Sequence, residues 1–431
     1  MKPLSITIFG NTNNYPLLLA LGLRDLGHSV RLVLDRPEGL HRPESLVPEW
    51  ATGYPDWIHD CSHLSEDNFA EDGAVLHQAI APLAEGTDLA ILNTVWVSIS
   101  GKLCCPHIAL LTGSDLIYLA DFDSVRRRLL GCDPAFRRGP DGQAALLRYA
   151  DFVARQRVGI LGADLVSFTY PGLVPEGDRI LAEIGIETDR RHMLRLADTD
   201  RLTPRPEKIN PVLTLLSGAR VVFCGNTHLG YNEMDIKGTE ILIEGFARFI
   251  EQGGQALLQL PRKGADVEAA LALIERRGLT DAVQWLDEMP LNAFRAQMAS
   301  ADVICDQFGT SFPGMVTMDA LALGKPVLAH FRNEILANHP PGPLPGFDAR
   351  TPDEVAEQLQ AIAAHPDRRK AVGREGRLFA ERHLSPRQAA TALLDRWAAL
   401  APPPPDEVKV TAEESLWQRL SRLRPGRISR R

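Results

Sequence analysis

The chain has 431 residues, 45% hydrophobic and 24% charged, with a formal net charge of −8, an ordinary globular composition too long for one core. It has no basic field to attract nucleic acid, and no apolar run long enough to cross a bilayer. MKPLSITIFG breaks too early for a secretory signal, so the expected location is the cytoplasm.

SITIFG (5–10) reads as the first strand, and YPLLLALGLRDLGHSV supplies a helix ending near Gly27. RLVLD (31–35), DLAILN (88–93), HIALLTG (107–113) and GADLVSF (162–168) read as further short buried strands. Strands alternating with helices predict a parallel sheet covered on both faces. GNTNNYP (10–16) joins the first strand to the first helix, and Gly10, Asn11, Thr12 and Asn13 allow close approach of backbone to a ligand. It lacks the G-x-G-x-x-G spacing of a dinucleotide loop, and an ordinary capped turn is the competing reading. TGSDL (112–116) places Asp115 at a strand end, either as an N-cap or as a base or sugar ligand in a cleft. Arg190 to Ser217, containing LTPRPEKINP, is rich in charge and proline and reads as the connection between halves.

The second half repeats the alternation. RVVFCG (220–225), QALLQL (255–260), AVQWL (282–286), DVIC (302–305) and KPVLA (325–329) read as strands, with helices over GTEILIEGFARFIEQ and VEAALALIERRG. Lys237-Gly238 falls at a helix start, where an ammonium and free amides together suit a diphosphate. LPRKGAD (260–266) brings Arg262 and Lys263 to the same sheet edge. Behind ADVICDQ, the stretch SFPGMVTMDALALGKPVL opens a helix at a strand end with one acid, Asp319, inside it. A helix start there binds phosphate, and an acid slightly further along can hold a ribose or can salt-bridge within the fold. The six cysteines (61, 104, 105, 132, 224 and 305) show no C-x-x-C spacing, and the histidines no H-E-x-x-H, so reduced thiols and no metal are expected. APPPPDE (401–407) is a stiff linker into ESLWQRLSRLRPGRISRR, which carries Leu416, Trp417, Leu420 and Leu423 on one face among arginines. That segment, 414–431, reads as a peripheral contact with the inner face of the membrane, as a helix docked on the body, or as a disordered tail.

The order strand, Lys-Gly loop, helix, strand, Gly turn, then "ADVICDQ…PGMVTMDALALGKPVLA" resembles the donor-binding domain of GT-B glycosyltransferases, most closely the retaining enzymes of family 4. It covers about residues 215–400, the first half matching by architecture alone. The resemblance implies an α/β fold of two Rossmann-like domains facing across a cleft. It places an acceptor domain at 1–200, a linker at 201–217, a nucleotide-sugar donor domain at 218–400, and a proline linker with basic tail at 401–431. It implies that Lys237 contacts the donor diphosphate, that Asp319 binds the ribose, and that Gly314, Met315 and Val316 form the backbone turn at the diphosphate. UDP- or GDP-linked sugar is then a co-substrate, with no cofactor and no metal. The acceptor, whether glycan, lipid-linked or small molecule, is open.

The sequence departs from the family pattern twice. Ser311 stands where the family has its first glutamate, eight positions before Asp319, and Asp306 is the candidate replacement. The family also has an arginine soon after the first strand of the donor domain. GNTH follows RVVFC here, so Asn226 or His228 takes that neighbourhood, with Arg262 or Lys263 supplying charge. Three functions remain in view: a retaining transferase, an inverting transferase or sugar-nucleotide epimerase using Asp115 as base, and an inactive binding subunit.

Overall fold

The computed structural model describes residues 2–37, 39–131, 139–205, 210–226, 233–309 and 313–400. The tail at 414–431 and Cys132 lie outside them. Seven strands form the first sheet: β1 (Ser5–Phe9), β2 (Ser29–Leu34), β3 (Ile58–Asp60), β4 (Leu89–Leu92), β5 (His107–Leu110), β6 (Leu165–Ser167) and β7 (Arg191–His192). Their order is β3-β2-β1-β4-β5-β6-β7, and every pairing is parallel. The second sheet holds β8 (Leu213–Ser217), β9 (Ala256–Pro261), β10 (Val283–Leu286), β11 (Val303–Cys305), β12 (Val327–Ala329) and β13 (Phe347–Asp348), in the order β10-β9-β8-β11-β12-β13, also all parallel. The expected pair of Rossmann-like halves is therefore present. In each sheet the strand order reverses once, at β1/β4 and at β8/β11, and such switch points open a crevice at the strands' carboxyl ends.

Burial explains why the runs read as strands. β4 and β5 are buried at every position, as parallel strands covered on both faces must be. Ile6 and Ile8 of β1 pack on one face with Leu17 and Leu23 of the helix Tyr15–Asp25, while Phe9 packs on the other against Trp96. Two- and three-residue edge strands such as β3, β7 and β13 carry no period to read, and the sequence did not reveal them.

Two expected boundaries move. The first strand of the second sheet is LTLLS (213–217), inside the segment read as linker, and RVVFCG is not a strand. Val221 and Val222 are buried but lie across the top of the sheet. The amide of Val221 bonds to the carbonyl of Lys263 at 2.7 Å, and the carbonyl of Val222 accepts from Lys237 and Gly238. The helix Pro386–Leu400, read as the end of the second half, instead packs on the first. Ala389, Ala390, Leu393 and Leu394 join the core of β1, β2 and the Tyr15–Asp25 helix. Gly22 permits the contact, since a Cβ there would stand 2.0 Å from the carbonyl oxygen of Pro386.

Candidate active site

The carboxyl ends of both sheets open on one cavity of about 1220 Å³, lined from both halves. On the second-half side, the chain leaves β8 through Gly218 and Ala219 and reaches Arg220 three residues beyond the strand. Arg220 lines the cavity and bonds through Nη2 to Asp235 Oδ1 at 2.6 Å. Asp235 Oδ2 accepts in turn from Tyr118 Oη of the first half, at 2.8 Å. This places an arginine just after the first strand of the second sheet. The misplaced strand had pointed to Asn226 or His228 instead. Asn226 does not line the cavity, because its amide bonds to Asp266 Oδ2 at 2.6 Å. His228 lies outside the described residues. Arg262 stacks on Trp285, with 5.6 Å to the ring centroid, and is also off the cavity wall. Lys263 reaches the rim, where it pairs with Glu288.

Lys237 is the half-buried cation of this side. Its Nζ donates to the carbonyl of Met234 at 2.5 Å and to Gln307 Oε1 at 2.9 Å. Desolvation pushes the ammonium down from 10.5 to about 8. Asp306 and Asp235 oppose the shift and Arg220 adds to it. The following Gly238 has φ +67, and a Cβ would lie 2.4 Å from the amide nitrogen of Gly309. Only glycine tolerates that approach and that φ, so Lys237 is fixed where β11's loop meets the helix Thr239–Glu251.

β11 runs into the helix Met315–Ala322 through a turn held by Asp306. Asp306 Oδ2 accepts the amides of Gly314 (3.0 Å) and Thr317 (3.2 Å) and the hydroxyl of Thr317 (2.6 Å). It is a helix cap from outside the helix, and it does not line the cavity. The carboxylate read as a replacement sugar ligand is spent on those donors. Burial pushes its carboxyl up, while Thr317 and Lys237 oppose the shift. Gly314, Met315 and Val316 do line the cavity. The amides of Met315 and Val316 begin the helix and have no acceptor inside it. Ser311, the departure from the family pattern, lies outside the described residues.

Asp319 lines the cavity, but its side chain is engaged. Arg295, on the helix Leu291–Ser300, donates Nε to Oδ2 at 2.8 Å and Nη2 to Oδ1 at 3.0 Å. Arg295 also reaches Asp198 Oδ2 at 3.4 Å, which spans the two halves. Burial pushes the Asp319 carboxyl up, and the guanidinium works against that rise. The ion-pair alternative is what the structure contains, and a carboxylate keeps further lone pairs for a ligand. Sequence reading missed Arg295, because NAFRAQMAS shows nothing but a half-polar helix.

On the first-half side, Gly10 turns with φ +94, and Asn13 and Asn14 adopt the left-handed conformation. Asn11 is consumed inside the turn: its amide bonds to Asn14 Oδ1 and the carbonyl of His41, and its Oδ1 accepts from Leu17. Thr12 and Asn13 line the cavity; Gly10 and Asn11 stand behind them. Asp115 is fully buried and off the cavity wall. Its oxygens accept from the amides of Thr112 and Gly113, from Asn93 Nδ2 and from the Thr112 hydroxyl, at 2.8 to 3.1 Å. Desolvation raises its pKa. An acid with every lone pair occupied and no open face cannot take a proton from a substrate, so Asp115 is not the base.

Among the described residues, no three His, Cys, Asp or Glu side chains gather to hold a metal ion, and no helix is long and apolar enough to cross a membrane. The chain matches no protein-family model and no curated protein. Solved structures do resemble it over nearly the whole length. HepE from Anabaena, in complex with UDP and glucose, is 13% identical with TM-score 0.57, covering 92% of this chain and 100% of its own. Sucrose-phosphate synthase from Thermosynechococcus elongatus is 13% identical with TM-score 0.58, covering 92% and 99%. A glycosyltransferase from Rickettsia africae is 12% identical with TM-score 0.56, covering 93% and 99%. The likeness lies in the fold: this chain is an α/β protein with the GT-B architecture, two Rossmann-like halves facing one cavity.

Proposed function

We propose that the chain is a glycosyltransferase that takes a sugar from a nucleotide-sugar, with the donor in the second half and the acceptor in the first. One observation carries this reading. Lys237, Arg220 and the amides of Met315 and Val316 converge on the second-half wall of a cavity shared by both sheets. Cations and a helix start aimed at one place suit a diphosphate that gains charge as it leaves. The neighbours' complexes with UDP and with UDP-glucose lend it support. The ribose would use the lone pairs of Asp319 that Arg295 leaves.

Transfer with retention, as in family 4, follows from the resemblance and is favoured by the exclusion of Asp115. An inverting transferase or epimerase needs a placed base, and the one named from sequence has no open face. With retention, the leaving phosphate itself takes the acceptor proton, and Lys237 and Arg220 carry the charge. The same assignment makes the reaction metal-independent, so turnover should persist in excess chelator.

A thermal-shift screen with UDP, GDP and ADP and their sugar conjugates tests the donor site. A ligand at 100-fold its Kd stabilises by about 2.7 kcal/mol. No stabilisation by any of the three nucleotide series would remove the donor reading. Peripheral membrane contact through 414–431 belongs to the same proposal. Removing 406–431 should abolish binding to anionic vesicles at low salt and leave turnover of soluble substrates unchanged.

A further inference from the structure

The first-half wall of the cavity holds a charge that nothing in the donor reading uses. Arg195 follows β7 at the carboxyl edge of the first sheet and is 5% exposed. Its Nη1 and Nη2 bond to the carbonyls of Gly342 (3.2 Å) and Pro340 (2.9 Å), across the cleft. Its Nε is buried with no hydrogen-bond partner, and among the described residues it makes no ion pair with a carboxylate. The Tyr170 side chain also lies against the guanidinium, and a buried guanidinium with carbonyl and phenol partners and no carboxylate is rare, because buried charges are ordinarily paired.

Two more orphaned donors lie on the same wall. Thr169, just past β6 and therefore one strand from Arg195, is 6% exposed, and its hydroxyl has no partner. Thr12, in the turn after β1, is 8% exposed and its hydroxyl is likewise unpaired. All three line the cavity. Unsatisfied buried polar groups are few in native proteins, and several on one cavity wall point to a ligand. The charge balance of the wall agrees. Arg36 adds a second arginine, and Glu44, the one carboxylate of this wall among the described residues, already accepts from Tyr54 Oη at 2.5 Å.

We propose that this wall is the acceptor subsite and that it takes an acceptor bearing an oxyanion, a carboxylate or a phosphate, with Arg195 Nε and the Thr169 hydroxyl as its donors. Thr12 serves an acceptor hydroxyl further along. The assignment of this ligand as acceptor rests on the glycosyltransferase reading; the oxyanion site itself does not.

Calorimetry with glucose, glucuronate and glucose 6-phosphate, alone and with saturating UDP, tests it. At least one anionic sugar should bind about 10-fold or more tightly than glucose, since a bond to a charged group carries that discrimination. Glucuronate and glucose 6-phosphate separate the carboxylate from the phosphate source. Arg195→Gln, which retains a donor toward Pro340, should erase the preference, Arg195→Lys should keep part of it, and Thr169→Val should weaken it several-fold. UDP affinity should change less than 2-fold in all three variants, which also shows that each is folded. Equal binding of all three sugars, or preference unaffected by Arg195→Gln, overturns the subsite while UDP binding leaves the donor reading standing. Displacement of the anionic sugar by UDP overturns it too, because the anion would then be in the diphosphate site. Anionic-sugar binding without any nucleotide binding keeps the subsite and removes the transferase reading.

Discussion

Lys237 and Asp319 make opposite demands on the fold, and both can be measured. With its pKa pushed down to about 8, Lys237 is charged below that pH and neutral above it. A bound diphosphate favours the charged form, so nucleoside diphosphate affinity should hold up to about pH 8 and fall beyond it. Stability of the unliganded protein should move the other way. Between about 8 and 10.5 the unfolded chain binds this proton and the folded one does not, so unfolding free energy should rise with pH across that window. Calorimetry and denaturant titrations at stepped pH check both signs. Lys237→Ala should lower kcat/KM by about 10–150-fold, the worth of a bond to a charged group that strengthens in the transition state. Asp319→Asn should instead cost folding stability, about 3 kcal/mol, by leaving Arg295 buried with only Asp198 at 3.4 Å. The charge-free pair Asp319→Leu with Arg295→Met should recover most of that loss, read by urea unfolding. Neither effect was visible in MDALALGKPV, where the acid could be placed but its guanidinium partner, 24 residues back, could not.

The helix Met315–Ala322 owes its position to a residue eight places before its first cap. Asp306 ties down Gly314 and Thr317, and in doing so leaves the Met315 and Val316 amides as the two open donors. Asp306→Ala should destabilise the fold by about 1–3 kcal/mol through buried donors left unpaired, and should weaken nucleotide binding without touching a ligand. A stability loss with unchanged nucleotide affinity would separate the cap from the site. This element also shows what a sequence conveys. Long buried runs such as LAIL and ALLQL declare strands, and the Lys-Gly and Pro-Gly turns declare the second-half wall of the cavity, because those local patterns are the structure. RVVFCG looked more like a strand than LTLLS, yet its valines are buried by a crossing loop, and burial alone does not distinguish ladder from loop. That one shift hid Arg220. Likewise Asp115 and Asp306 read as cleft acids because position at a strand end is local, whereas the donors that occupy their oxygens come from other turns.

At the scale of the molecule, the halves are joined by more than their connection. Tyr118 meets Asp235, the amide of Glu176 bonds to Glu233 Oε2 at 2.8 Å, and Arg195 holds the 340–342 carbonyls. The helix Pro386–Leu400 is an apolar tie beside these polar ones. A protein ending at residue 385 should lose Leu393 and Leu394 from the first-half core, each worth about 1.5–3 kcal/mol of burial. Circular dichroism and limited proteolysis should show the first half unfolding, and a 1–200 fragment fused to 386–400 through a flexible linker should regain structure. The same tie has a consequence for synthesis. The first half is made early, but its core beside the Tyr15–Asp25 helix and β6 is completed by residues added about 180 positions after the first half is made, so at ribosomal speeds it stays incomplete for roughly 10–40 s. During that interval the nascent first half, unable to hold its fold without this helix, leaves the apolar side chains of that core uncovered.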